Sequence, residues 1–265
     1  MPPISAILIT YNEERDLPHA LSSLVGVADE IVVVDSGSID RTCEIARQSG
    51  ARVLSRTWTN FSDQKNFAAA AAAHDWVLSL DADEVLSPEL RASIEKWKQE
   101  QPQCAGYQLT RKTNYLGGWI RHSGWYPEYH IRLYDQKRAR FTGTIHETVH
   151  VDSAAGPCGR LKGHLLHYTI RTLAEQHAKL DAFTTRAAED LFSRGRHRWR
   201  GGMWFGAPWT LLQKFVLQMG FLDGYRGVLI AWNSARYVWI KYRKLGVLVR
   251  GGKLQHRPWP QTGDA

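Results

Sequence analysis

The first hundred residues repeat one pattern: a short, almost uninterrupted apolar run that ends in polar residues and is followed by a helix-length segment. Residues 4–10 run into Tyr11-Asn12-Glu13, and Ile31-Val32-Val33-Val34 into Asp35-Ser36-Gly37-Ser38. Residues 52–55 make a third run, and residues 76–80 a fourth that ends at Asp81. Between them lie an amphipathic stretch to Val25, a helix from about Asp40 to Gln48 with Ser38 or Asp40 as N-cap and Gly50 as its stop, and an alanine-rich helix over 62–73. Strands that are apolar throughout need cover on both faces, which predicts an α/β fold around a mostly parallel sheet.

In such sheets ligands sit beyond the carboxyl ends of the strands, near the point where strand order reverses. Tyr11, Asn12 and Glu13, then Asp35 and Ser36, then Asp81, Asp83 and Glu84 occupy those ends and are expected to share one crevice. Neither G-x-G-x-x-G nor G-x-x-x-x-G-K-[ST] follows any of the strands, so dinucleotide binding and P-loop chemistry lose their main support. Asp81-Ala82-Asp83 places two carboxylates at i and i+2. While the backbone stays extended they point to one side and can share a hard divalent ion with phosphate oxygens. A solvated acidic loop, with Glu84 capping a helix around Ser87-Pro88, is the bland alternative.

Tyr11-Asn12-Glu13-Glu14, Val34-Asp35-Ser36-Gly37-Ser38-x-Asp40-x-Thr42 and Asp81-Ala82-Asp83-Glu84, in this order and spacing, resemble family 2 inverting glycosyltransferases of the GT-A fold. The resemblance implies that Thr10, Tyr11, Asn12 and Glu13 line a nucleotide pocket and that Asp35 holds the uracil. It further implies that Asp83 ligates Mn²⁺ or Mg²⁺, with Asp81 near the ribose and diphosphate. Lys65, in Gln64-Lys65-Asn66, would lie beside the nucleotide; an ordinary helix-surface lysine is equally consistent with the residues.

Residues 124–134 and the segment Phe141-Thr-Gly-Thr-Ile-His146-Glu147 are similar to a narrower group, the lipopolysaccharide core β-1,4-glucosyltransferases. One-step inverting transfer needs a base for the acceptor hydroxyl. Glu147 is the first candidate and Glu128 its rival. Aromatic faces suit sugars, so Trp119, Trp125 and Tyr126 are acceptor candidates, with core packing as the alternative. Arg132 offers a bidentate fork to a phosphate or the acceptor, or forms a salt bridge. His146-Glu147-Thr148-Val149-His150 matches H-E-x-x-H literally, but its β-branched surroundings favour a strand, where the two histidines stand about 13 Å apart and share no zinc. His146 alone remains a candidate to complete the metal shell at Asp83.

Charge divides the chain: residues 1–100 carry 9 Lys/Arg against 16 Asp/Glu, and residues 101–265 carry 25 against 10. Residues 191–265 hold 13 basic side chains, only Asp223 and Asp264 as acids, and six of the 11 tryptophans. Such a segment approaches an anionic partner, either nucleic acid or a lipid surface. Helices are expected over 171–192, with Thr172 and Glu175 as a capping box, over 209–221 and over 224–245. On the last, Val228, Ala231, Trp232, Ala235, Val238, Trp239 and Tyr242 share one face, and Arg226, Asn233, Lys241 and Lys244 fall opposite. That pattern suits an anionic membrane surface as well as it suits packing on a domain. The stretch from Lys214 to Leu245 also resembles the tail of those glucosyltransferases.

Cys43, Cys104 and Cys158 show no close spacing, no leader is evident, and the uncharged stretch 201–213 is too short to span a bilayer. The expectation is a cytoplasmic enzyme, peripheral on the inner face of the cytoplasmic membrane. Residues 1–170 would form the GT-A part (1–100 for the nucleotide-sugar, 101–170 for the acceptor), with 171–265 as a helical extension. Its partners would be a nucleotide-sugar donor and a lipid-linked saccharide such as lipopolysaccharide inner core. Another cell-envelope acceptor is the alternative; a basic nucleic-acid-binding protein would explain the charge but not the acidic crevice.

Overall fold

Along β1 (Ile4–Thr10), Ile4, Ala6 and Leu8 enter one apolar layer and Ile7 another, so the strand has no solvent face. In this computed structural model, residues 1–100, 102–143, 147–152 and 156–255 are described. They fall into two units: Met1–Lys112 with Glu128–Tyr168, and Thr113–Pro127 with the chain from Thr169 on. This grouping differs from a single boundary at 170, because residues 113–127 join the C-terminal helices.

In the first unit β1 pairs in parallel with β2 (Glu30–Asp35) and β4 (Trp76–Ser79), and β2 pairs in parallel with β3 (Arg52–Ser55). The connections are α1 (Leu17–Leu24), α2 (Thr42–Gln48) and α3 (Phe61–Ala71). β5 (Glu84–Leu86), α4 (Pro88–Gln99), β6 (Gly106–Tyr115), β7 (Gly118–Trp119) and β8 (Glu128–Asp135) follow. Next come β9 (Ala139–Thr142), β10 (Thr148–Val151) and β11 (Gly159–Ile170). Strand order in the large sheet is β3-β2-β1-β4-β8-β6-β11-β5, with β8 antiparallel to both β4 and β6. The parallel half is therefore the predicted α/β core, and the antiparallel strands extend it.

Leu17, Leu21, Leu90, Ile94 and Trp97 from α1 and α4 cover one face, and Ala68 and Ala69 of α3 with Tyr134, Phe141 and Val149 cover the other. Ser87, not Glu84, caps α4: its hydroxyl accepts from Leu90 N at 3.2 Å, with Pro88 beginning the helix. β9 and β10 pair antiparallel, Thr142 opposite Thr148, so the H-E-x-x-H segment includes a strand and His150 stands exposed on it.

The second unit packs α5 (Leu173–Ser193) against a final helix (Tyr225–Val249). Thr172 and Glu175 form the expected capping box. Residues 199–217 are one continuous helical run containing two π-helical segments, longer than the helix expected from 209. Tyr115 donates to Gln176 Oε1 at 2.5 Å, Asn233 donates to the same oxygen at 3.1 Å, and Ile120 and Ile230 pack with Tyr115. Residues 113–127 are held by polar bonds as well: Asp223 accepts from the backbone N–H groups of Arg121 and His122, and Arg226 donates to the carbonyls of Tyr115 and Leu116. Two charged side chains thus recruit a loop that its sequence position assigns elsewhere.

One glycine in the first unit is sterically required. Gly163 has φ of +94°, and a Cβ there would lie 2.3 Å from the backbone nitrogen of Leu90. Gly163→Ala is expected to lower stability by about 2 kcal/mol, combining strain with a backbone clash; the shift of the urea midpoint at unchanged slope measures it.

Candidate functional site

The ends of β1 and β2 are stitched together by the side chains of the 35–42 segment. Asp35 is buried and accepts four hydrogen bonds: from Thr10 Oγ1 at 2.9 Å and Ser38 Oγ at 2.5 Å on one oxygen, and from the N–H groups of Gly37 and Ser38 at 3.0 and 2.8 Å on the other. Burial pushes its carboxyl pKa up, but these bonds outweigh that and hold it below the usual carboxylate value. Ser38 Oγ accepts from Asn12 N at 2.8 Å, Thr42 Oγ1 from Glu13 N at 2.7 Å, and Asp40 Oδ2 from Glu14 N at 3.1 Å. Asn12, at φ of +55°, returns a bond by accepting from Ile39 N. Ser38, Thr42 and Asp40 thus take up the three successive backbone donors of the neighbouring turn. Ser38 is not a helix cap, and Asp40 meets the helix at Thr42, accepting from both its N–H and its hydroxyl. Tyr11 stands exposed at the rim.

At the end of β4 the expected geometry is altered. Glu84 N donates to the Asp81 carbonyl at 3.0 Å, closing a turn over Ala82-Asp83, and the Glu84 carboxylate accepts from Asp81 N at 3.0 Å. The backbone is not extended, so Asp81 and Asp83 diverge rather than chelate as a pair. Asp81 meets Lys65 Nζ at 2.8 Å and Arg132 at 2.7 Å. Arg132 also meets the fully buried Glu84 at 2.9 Å. Despite the burial that opposes ionisation, these two cations hold Asp81 well below the carboxylate range, and the same carboxylates hold Arg132 charged.

Arg132, open in the sequence to a phosphate, the acceptor or a salt bridge, forms ion pairs: it is buried, with one amino group shared by Asp81 and Glu84. Lys65 is no helix-surface lysine. It is buried and bridges Asp81 to Glu147, 3.2 Å away. α3 grips the β9 segment on this side, through Asn66 bonding both ways to Phe141 and Ser62 donating to the Gly143 carbonyl.

Asp83 lies 3.2 Å from His167 Nε2 on β11, and its carbonyl accepts from Tyr168 N at 2.9 Å. Burial pulls the His167 pKa down, but Asp83 outweighs it and raises the pKa overall. His167 was missed by sequence reasoning; a histidine in an apolar strand carried no motif, and only the pairing of β11 with β5, which sets His167 opposite Glu84, brings it to Asp83. His146 lies outside the described residues. Among those described, no cluster of three or more metal-ligating side chains forms. A carboxylate and an imidazole within 3.2 Å do form a two-point donor set, with remaining positions for phosphate oxygens. The donor chemistry therefore fits Mn²⁺ at Asp83 and His167, with Asp81 committed to cations.

Glu128 is gripped by Arg111 through contacts of 2.8–3.0 Å and has His130 at 3.0 Å. Burial opposes its charge, but His130 and Arg111 together bring its pKa down to about 2. Glu147, among the described residues, has Lys65 as its hydrogen-bonding partner. In this part of the site Asp81, Asp83, Glu84, Glu128 and Glu147 face Lys65, Arg111 and Arg132, with the imidazoles of His130 and His167 beside Glu128 and Asp83. Gln64 Nε2 donates to Ser36 Oγ beside Asp35, while its buried Oε1 has no partner among the described residues. Trp119, Trp125 and Tyr126 belong to the second unit, where the Trp125 ring packs edge-on against Tyr115 at 5.5 Å as part of a small core.

The family model for glycosyl transferase family 2 matches residues 5–156. An uncharacterised glycosyltransferase of Rickettsia typhi is 32% identical over 94% of this chain and 90% of its own length. A lipopolysaccharide core biosynthesis glycosyltransferase of Rhizobium meliloti is 27% identical over 92% of each chain. The chain is also similar to glucosyl-3-phosphoglycerate synthase from Mycobacterium tuberculosis, solved with Mn²⁺ and UDP, at 26% identity and a TM-score of 0.35; it spans less than half of that structure, 44% of this chain matching 45% of the other. With the family model covering more than half of the sequence and a relative matched over nearly its whole length, this protein belongs to glycosyltransferase family 2.

Proposed function

We propose that this enzyme moves a hexose, glucose by the resemblance noted above, from a UDP-sugar to a membrane-anchored saccharide such as lipopolysaccharide inner core, with inversion. The observation that carries the reading is the Asp83–His167 pair, set one turn from an Asp81–Lys65–Glu147 chain at the carboxyl end of the parallel sheet. The match to a lipopolysaccharide core biosynthesis relative over 92% of the chain supports the acceptor class.

Asp83 and His167 would hold a divalent ion, Mn²⁺ before Mg²⁺ because of the imidazole. When bound, such an ion supplies positive charge to a departing diphosphate. The turns at 10–14 and 35–38 form a rigid wall for the nucleotide, backed by the buried Gln64 amide, which donates to Ser36 beside Asp35. Both Asp35 oxygens are engaged by the turn, so Asp35 contributes to base recognition chiefly by shaping that wall.

Glu147 takes the acceptor proton in this reading, and Lys65 orients it by anchoring Oε1. Glu128 is the weaker base: a carboxyl held at about pH 2 by His130 and Arg111 has little tendency to accept a proton near neutrality.

A panel of UDP-, GDP- and ADP-sugars with Mn²⁺, scored by hydrolysis, is the central test; turnover of a UDP-sugar is expected, and silence with all UDP-sugars would refute the donor assignment. Glu147→Gln is expected to slow transfer by about 10²–10⁴-fold with UDP binding retained, whereas Glu128→Gln keeps most of the turnover. His167→Ala and Asp83→Ala are each expected to weaken Mn²⁺ binding by about tenfold or more, read directly by the paramagnetic resonance of free Mn²⁺.

The Arg111–Glu128 pair also predicts a pH dependence. A carboxyl depressed in the folded state contributes stability that is present above its unfolded pKa, about 4.3, and is lost as pH falls toward about 2. Urea unfolding across that window is expected to show a shallower acid-induced loss in Glu128→Gln than in the parent.

A further inference from the structure

The final helix of the second unit is built inside out. Three of the four polar side chains expected on its solvent face turn inward: Asn233 is buried against Gln176, Arg226 caps the carbonyls of Tyr115 and Leu116, and Lys244 donates to Asp181, Thr184 and Thr185. Ala231 and Ala235 are buried beside them. Trp232 and Val228, on the apolar face that the sequence left open to a membrane or to packing, are 59% and 50% exposed. An aqueous surface has no use for that arrangement, because burying polar groups while wetting tryptophan is doubly unfavourable.

The helical run before it continues the same surface. Phe205 is 79% exposed and Trp204 65%, and Trp209, Leu212 and Val216 follow at steps of three to five residues, the spacing of one face in a run with π-helical segments. Between Arg200 and Arg226 the charged residues are Lys214 and Asp223. Lys214 donates to the Ser123 carbonyl, and the Asp223 side chain is almost wholly covered, so neither interrupts the apolar stripe. Single exposed apolar side chains are ordinary, but a stripe of this length marks an interaction surface.

Charge selects the occupant. Arg194, Arg196, Arg198 and Arg200 are exposed immediately before the stripe, and Arg236, Arg243 and Arg250 are exposed along the final helix. A second copy of the chain would bring these arginines against their own kind. Nucleic acid would meet a stripe without charge. An anionic bilayer offers acyl chains to the stripe, phosphates to the arginines and a headgroup layer suited to indole rings. No helix among the described residues is long and apolar enough to cross a membrane, so the surface would lie in the interface.

We propose that the 199–217 run and the adjoining exposed side of the final helix form an interfacial docking surface for an anionic bilayer, with Trp204, Phe205 and Trp209 as the inserting wedge. This adds a partner to the function proposed above, and the two are separable because vesicle binding reads the surface while UDP-sugar hydrolysis reads the catalytic residues.

The test is flotation of the full chain with phosphatidylcholine vesicles, with and without phosphatidylglycerol. Binding is expected only when the anionic lipid is present, together with quenching of tryptophan fluorescence by brominated acyl chains, a readout that needs no substitution. The double variant Trp204→Ser with Phe205→Ser is expected to lower the bound-to-free ratio by about tenfold or more while its circular dichroism and hydrolysis rate stay unchanged. Failure of the parent protein to float with anionic vesicles would overturn the proposal, as would undiminished flotation of a folded double variant. So would a concentration-dependent dimer in sedimentation that the same variant dissociates without any lipid binding, since the stripe would then belong to a second copy.

Discussion

Everything at the carboxyl end of the sheet depends on the ion network that Arg132 and Lys65 make with Asp81, Glu84 and Glu147. Glu84 is fully buried and Arg132 nearly so, and an isolated charge in such a place is prohibitive. Together they are tolerable, and the geometry that makes them so joins the end of β4, β5, β8, α3 and Glu147, just before β10. Removing one member of such a buried set typically costs about 3–5 kcal/mol, since the remaining charge is left without its partner. The network also assigns chemistry. By committing Asp81 to cations it leaves Asp83 as the carboxylate that faces an imidazole, and by tethering Oε1 of Glu147 it keeps a base candidate in place.

The polar motifs at the ends of β1 and β2 have a mechanical role beside any role in binding. Ser38, Thr42 and Asp40 satisfy the backbone N–H groups of Asn12, Glu13 and Glu14, respectively, in the turn after β1. Such N–H groups would otherwise be left for water at the mouth of a ligand crevice. Closing them from the neighbouring loop yields a wall that is shaped without any ligand, which lowers the ordering cost of binding there.

Much of this was legible in the amino-acid order. The parallel core and the capping box at Thr172 and Glu175 follow from apolar runs and side-chain capping chemistry. What was not legible depended on partners remote in sequence. The turn at Ala82-Asp83 overrode the extended D-x-D geometry because Glu84 N finds the Asp81 carbonyl. His167 gained its position from strand pairing alone. For Arg132 the residues allowed a ligand contact or a salt bridge, and for Glu128 a role as base; which partner each meets depended on ionic partners 17 to 51 positions away.

The apolar periodicity of its strands and the polar ends of those strands determined, without any coordinates, that this chain would form an α/β crevice rich in carboxylates and carry a basic, tryptophan-rich C-terminal segment. Tertiary structure alone decided which carboxylate pairs with which cation, because ion pairing acts through space and is indifferent to sequence distance. It also decided which side of the final helix faces out. Helical periodicity defines two faces equally well, and only the packing of Asn233, Arg226 and Lys244 onto α5 and residues 113–127 turned the polar face inward and left Trp232 to the surroundings.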